Sequence, residues 1–287
     1  MMIIDSHNHP DWHAINMDKF LANMDEHGIQ KTWLLTWECP DHEFDPSYNN
    51  HLFSDIRGPI PFARVLSYIE RQPDRFVPGY APDPRIPDSI DRLRAAVSIY
   101  GVKIYGELKL RMMFDNPDGI AMYRACGELG LPVVVHIDYE IPSAHPWPHS
   151  SYWYGGGIEA FERAVRACPD TVFLGHAPGF WAHISGEGKA EEVSYPEGPV
   201  VPSGKVLEML RTYPNLYCDL SAGSGLNALS RDPIHAMQFI EEFQDRLLFA
   251  RDYFDGRLME FLNSLDLSES IQMKIFSENS LQLTHDL

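Results

Sequence analysis

The chain has 287 residues, 44% of them hydrophobic and 22% charged, the make-up of a globular protein able to bury a large core. Its 41 acidic residues outnumber 23 basic ones, giving a formal net charge of -18. That balance argues against a nucleic-acid surface, because phosphate binding needs a positive field, and no run approaches the roughly 20 apolar residues of a membrane span.

In chain order, residues 2–5 predict a buried strand, 17–27 a helix closed by Gly28, and 31–37 (KTWLLTW) a second strand. Residues 41–61 form a Pro/His/Asn-rich stretch too long for a simple connection, and such stretches tend to be lids or insertions. Helix 62–71 and strand 76–80 follow, then helix 88–100, strand 101–108 and helix 117–130 with Gly130 as its stop. Strand 132–138, helix 158–167, strand 171–176, helix 203–213 and strand 215–220 continue the alternation. Gly223 and Gly225 suggest a tight turn next. Helix 232–244, strand 246–250, helix 256–265 and helix 268–283 complete the chain. Eight β-then-α units predict a parallel sheet, and at this length a single domain closed as a (β/α)₈ TIM-type barrel. The absence of G-x-G-x-x-G after the first strand argues against an open dinucleotide-binding sheet.

A barrel assembles its chemistry where strands end at the C-terminal face. The first strand ends in Asp5-Ser6-His7-Asn8-His9, and the fourth passes Lys103 and Tyr105 to Glu107 and Lys109. The fifth ends at His136-Ile137-Asp138, the sixth at His176, the seventh at Asp219 and Ser221, and the eighth at Arg251-Asp252. Alternation places Asp5, His7 and His9 on one side, so both imidazoles can face one metal ion while Asp5 orients a ring through its other nitrogen. Two histidines among 13 also fall together by chance, and a lone buried histidine is more often hydrogen-bonded than ligating. The constellation decides it: histidines closing V-V-V and V-F-L-G, and an aspartate closing L-L-F-A-R, converge with the H-x-H pair. Imidazole with carboxylate suits zinc and other divalent transition metals.

These segments together resemble the amidohydrolase superfamily: D-S-H-N-H, V-K-I-Y-G-E-L-K, L-P-V-V-V-H-I-D, F-L-G-H-A-P-G, N-L-Y-C-D-L-S and L-L-F-A-R-D-Y. Their order is similar to its amidohydrolase-related branch, which also contains aminocarboxymuconate semialdehyde decarboxylase, and K-I-F-S-E-N-S-L-Q-L is similar to that branch's C-terminal helix. The resemblance implies a distorted barrel with His7, His9, His136 and Asp252 as metal ligands. It makes His176 either a ligand to a second metal or a substrate and proton-handling group. The site would take one or two ions, with Glu107 as a bridge between two, as in TatD-type nucleases, or else as a salt-bridge partner or substrate-orienting group; Lys103 would need carboxylation to bridge. Arg251 departs from the pattern, standing where a small residue commonly precedes the aspartate.

The expected reaction is hydrolysis of a small acidic or cyclic substrate, since a divalent ion lowers the pKa of bound water from about 15.7 to about 7. Asp252 would accept the proton and pass it to the leaving group, while the metal or His176 polarises the carbonyl. The alternative on the same scaffold is decarboxylation of a small carboxylate. Lys109, Arg111 and Arg251 are candidates to bind a substrate carboxylate, or partners for the chain's own acids. His145, Trp147, His149, Trp153 and Tyr154, with Trp181 and His183, either line the pocket or pack their loops. Cys39, Cys126, Cys168 and Cys218 form no C-x-x-C pair, and MMIIDSHNHP turns polar after four apolar residues. Reduced thiols, no secretory signal and a cytoplasmic location are therefore expected. Self-association into a homo-oligomer is compatible with the composition.

Overall fold

The computed structural model describes residues 1–43, 59–138 and 155–284. Eight short strands alternate with helices: β1 Ile4–Asn8, β2 Lys31–Leu34, β3 Phe76–Pro78, β4 Tyr105–Leu108, β5 Val133–His136, β6 Phe173–His176, β7 Leu216–Asp219 and β8 Leu247–Leu248. The helices are α1 Met17–Glu26, α2 Phe62–Arg71, α3 Ser89–Tyr100, α4 Pro117–Leu129, α5 Gly157–Ala167, α6 Pro178–Trp181 and α7 Lys205–Thr212. They continue with α8 Ala222–Ser230, α9 Pro233–Phe243, α10 Arg257–Ser264, α11 Glu269–Met273 and α12 Asn279–Thr284. Local signals fix their ends. Asn16, Asn116, Asp232 and Ser268 accept main-chain N–H groups at the starts of α1, α4, α9 and α11. Gly130 ends α4 at φ 68°, which a side chain would resist.

All strand pairs are parallel, in the order β1-β2-β3 and β4-β5-β6-β7-β8. Main-chain bonds join the two sheets at both seams. Lys103 donates to Pro78 and Tyr80 to Ile104 on one side; Ser6 donates to Phe249 and Asp252 to His7 on the other. The result is a distorted (β/α)₈ barrel, as the alternation predicts.

Its interior shows in the packing. Ile4, Trp33, Val77, Ile104, Val134, Leu174 and Leu248 form one buried cluster with the partly buried Tyr217, so each of eight strands or its direct extension sends a residue inward. Leu281 and Leu283 of α12 join this cluster from below. Outward-facing neighbours such as Leu34, Phe76, Val133, Val135, Phe173, Leu216 and Leu247 belong to a second, larger cluster under the helices. Adjacent residues on one strand thus serve two different cores, the period-2 consequence of an extended chain.

Three local expectations change. The first strand runs to Asn8, because the barrel interior lets Ser6 and His7 be buried in place of apolar residues. The Gly223–Gly225 turn is instead the first turn of α8. A Cβ on Gly225 would lie 2.2 Å from the Leu220 carbonyl oxygen, so its glycine permits close approach rather than a reversal. The predicted helix 268–283 is interrupted by a wider π turn, Lys274–Glu278. Most of the 41–61 stretch lies outside the described residues, as do His145, Trp147, His149, Trp153 and Tyr154.

Candidate metal centre and active site

Seven polar side chains from the ends of six strands meet here: His7 and His9, Glu107, His136, His176, Asp219 and Asp252. His7 and His9 approach with Nε2 atoms 3.3 Å apart. Asp252 Oδ1 lies 3.9 Å from His7 Nε2 and 3.7 Å from His9 Nε2. Glu107 stands between this trio and the next: its carboxylate is 3.3 Å from His9 Nε2, 3.7 Å from His176 Nε2 and 2.6 Å from His136 Nδ1. Among the described residues, three overlapping groups could each hold an ion: His7, His9 and Asp252; Glu107, His136 and His176; His7, His176 and Asp219.

The rings are held by their far nitrogens. His7 Nδ1 donates to Asp219 Oδ2 at 2.5 Å, and His9 Nδ1 donates to the Leu35 carbonyl oxygen at 3.0 Å. Both therefore turn Nε2 inward, the position of a ligand atom whose ring is held by its other nitrogen. His176 Nδ1 meets Ser221 Oγ at 2.9 Å, leaving Nε2 directed at the centre. Among the described residues, His176 Nε2 and Asp252 Oδ1 are buried with no hydrogen-bond partner. Buried polar atoms of this kind are costly unless something binds them. Inward Nε2 atoms, unpartnered atoms and two carboxylates form a donor set that fits a divalent cation.

Electrostatics follow the burial. Burial opposes a charge on His7, but Asp219, with Asp252 and Glu107, lifts its pKa to about 10 in the metal-free protein. Burial, reinforced by His7 and His136, pushes His176 down to about 3, so its ring is neutral. Burial raises Asp252, against the pull of His7 and His9. Glu107 is held well below the usual carboxylate range: burial is outweighed by His136, His9 and His7. A cation at the centre would favour deprotonated His7, because ligation needs the neutral ring.

A cavity of about 80 Å³ opens over these groups, walled by Trp12, Trp37, Tyr195 and Tyr253. Lys109 lines it, its Nζ 3.5 Å from Asp138 and 4.6 Å over the Trp37 ring. Trp12 Nε1 donates to the main-chain oxygen of Asp252, tying one wall to the end of the eighth strand. Asp252 itself has φ 54°, a conformation that costs a non-glycine residue about 1–3 kcal/mol and clusters at functional sites.

The structure thus brings together His7, His9, Glu107, His136, His176 and Asp252, and puts Lys109 at their cavity. It separates others. Arg251 does not line the cavity; its guanidinium is buried against Asp5 and Asn23, because the residue before Asp252 points across the β1–β8 seam. Arg111 hydrogen-bonds Glu43. Lys103 donates to the Thr284 carbonyl oxygen at the opposite end of the barrel, so a carboxylated Lys103 could not bridge metals here. Trp181 packs at 1% exposure with Nε1 on the Asp219 carbonyl oxygen, and neither it nor His183 lines the cavity. Asp5 does not orient a histidine ring. That role falls to Asp219, which the sequence marks as a strand end but without a task. The sequence likewise gives no role to Ser221, Trp12, Trp37 or Tyr253, and its one signal for Trp12 is the place three residues after His9.

A parallel barrel whose strand ends converge on imidazoles and carboxylates defines a metal-dependent enzyme class. Residues 4–283 match the amidohydrolase family, and the chain belongs to that family. The family-level resemblance of the motifs is borne out. None of the curated proteins matches the chain. Among solved structures, a TIM-barrel protein of Bordetella bronchiseptica is 16% identical, covering 99% of this chain and 98% of its own, with a TM-score of 0.64. 2,6-Dihydroxybenzoate decarboxylase from Rhizobium is 16% identical, covering 99% of each chain at a TM-score of 0.60. Dihydroxybenzoic acid decarboxylase from Polaromonas, with bound manganese and the inhibitor 2-nitroresorcinol, is 16% identical over 99% of this chain and 97% of its own, also at 0.60. At this identity the likeness establishes the fold. Among the described residues no helix is long and apolar enough to cross a membrane.

Proposed function

We propose that the chain is a one-metal lyase that decarboxylates a small, planar, acidic substrate. The observation that carries the reading is the cavity itself: aromatic walls and one cationic side chain stand directly over the converging metal donors. The two decarboxylases of the same fold support it, one of them holding manganese. His7, His9 and Asp252 would hold the ion, with Glu107, His136 and His176 completing its surroundings. Once bound, a divalent ion such as zinc or manganese supplies Lewis-acid polarisation of a substrate oxygen.

The residues divide the remaining work. Trp12 and Trp37 flank a flat ring and exclude water. Lys109 takes an anionic group that the product retains, because pairing with the departing carboxylate would stabilise the ground state instead. Neutral His176, steadied by Ser221, donates or accepts a hydrogen bond at a substrate oxygen. Asp252 delivers a proton to the carbon bearing the carboxylate; the C–C bonding pair then returns to the ring as CO₂ leaves, and Asp252 ends as carboxylate.

Hydrolysis is the second reading. It is favoured by the unpartnered Oδ1 of Asp252, which could accept a proton from an attacking water. The test is to purify the chain without chelator, count its metals, and screen aromatic mono- and dicarboxylates for CO₂ release before and after chelation. About one divalent ion per chain and metal-dependent CO₂ release are expected. Turnover of lactones or amides with no CO₂ would move the assignment to hydrolysis, and full activity without metal would overturn both.

A further inference from the structure

Arg251 precedes Asp252 yet takes no part in the cavity, and its burial needs another account. Asp5 grips it twice: Oδ1 accepts the Arg251 main-chain N–H at 2.8 Å, and Oδ2 accepts Nε at 2.8 Å. Arg251 Nη1 donates to Asn23 Oδ1 on α1 at 2.8 Å, and Asn23 Nδ2 donates to the Phe254 carbonyl oxygen at 2.8 Å. Asn8, between the two inward histidines, donates from Nδ2 to the Tyr253 carbonyl oxygen at 2.9 Å and to Asp5 Oδ2 at 3.3 Å. Residues 251–254 are thereby fastened to β1 and α1 through three side chains.

This fastening sits at a seam with little regular pairing. β8 spans two residues and pairs with β7, while the Ser6–Phe249 and His7–Asp252 main-chain bonds join its extension to β1. The seam divides the candidate ligands: His7 and His9 stand on one side, Asp252 on the other. A buried Arg–Asp pair is a weak source of net stability, because desolvation offsets its attraction. Its planar fork does fix geometry, with donors in set directions that an ammonium does not reproduce.

We infer that the Asp5–Arg251 pair, braced by Asn23, is a positioning device that sets the spacing of Asp252 from His7 and His9. Arg251 is a positioning residue: it touches neither the cavity nor the centre, and acts through Asp252. The inference rests on the proposed metal centre.

The experiment uses the full chain, stripped with chelator and titrated with Mn²⁺, as wild type, R251M, R251K and N23A. Each is measured for Mn²⁺ affinity by chelator competition and for metal-free unfolding temperature. R251M should weaken Mn²⁺ binding about tenfold or more, as loss of groups that orient ligands does. R251K should fall between R251M and wild type, and N23A should weaken binding a few-fold. Folded R251M and N23A that bind Mn²⁺ within twofold of wild type would overturn the inference, whatever their unfolding temperatures. Should R251M fail to fold, R251K and N23A at wild-type affinity would overturn it equally. A wild-type chain that takes up no Mn²⁺ would instead remove the metal centre, and the inference with it.

Discussion

The two ends of the barrel are made by the same eight strands and differ in almost everything else. At the floor, the inward residues are Ile4, Trp33, Val77, Ile104, Val134, Leu174 and Leu248 with Tyr217, and they fill the interior with apolar side chains. A few residues further along the strands, the inward positions become His7, Glu107, His136, His176 and Asp219, all in the last turns of chain before the loops. The floor gains from burial and asks nothing of geometry beyond volume. The rim carries polar groups into the interior and orients its rings through directed partners: Asp219 for His7, the Leu35 carbonyl for His9, Ser221 for His176. The contrast separates packing from chemistry along a single strand, so a floor substitution should leave the site's chemistry in place.

The most severe break is at the rim. Asp252→Asn keeps the side-chain size but cannot move a proton, and kcat should fall about 10²–10⁴-fold, the range of a lost general acid or base. A variant with near-normal kcat and an intact fold would remove Asp252 from proton transfer. Next in size is Asp219→Asn, which leaves His7 a neutral partner on Nδ1. Metal affinity should fall about 10–100-fold, and the metal-free unfolding temperature should fall as well, because the buried His7–Asp219 pair loses its anion; chelator competition and thermal unfolding would show both. Unchanged affinity would mean that Asp219 only packs. The smallest expected effect on the site comes from the floor. Leu174→Ala should cost about 2–5 kcal/mol of stability by denaturant unfolding. Mn²⁺ affinity should stay within about twofold, because Leu174 lies on the apolar layer rather than among the donors. A parallel loss of affinity would show that floor and rim are one mechanical unit.

Much of the rim is legible in the sequence because apolar runs end abruptly in His or Asp. V-V-V-H, F-L-G-H and L-Y-C-D each expose the switch from floor to rim within one strand. The helices are legible for a similar reason, with α2 spanning residues 62–71 as its periodicity predicts. What sequence periodicity misses is partner choice. Strict alternation assigns Asp5 to the side of His7 and His9, but the register of β1 shifts between Asp5 and Asn8, and Asp5 meets Arg251 instead. The same limit applies to Arg251, a cation one residue from a proposed ligand, whose direction across the seam depends on backbone geometry at Asp252. Asp219 belongs to this class too: its strand-end place is readable, but its bond to a histidine 212 positions away is not.

The last helix bears on how the chain must fold. Ser280 Oγ meets Ser6 Oγ at 2.6 Å across a sequence separation of 274, and Leu281 and Leu283 complete the floor that Ile4 begins. The first strand can pair with β2 early, but its other neighbours, the extension of β8 and the last helix, come only much later in the sequence. Contacts that span so much sequence demand a large loop-closure entropy before they return any free energy. An emerging chain that has paired β1 with β2 therefore carries the other edge of β1, with His7 and the adjoining His9, without its partners until β8 and the last helix are made.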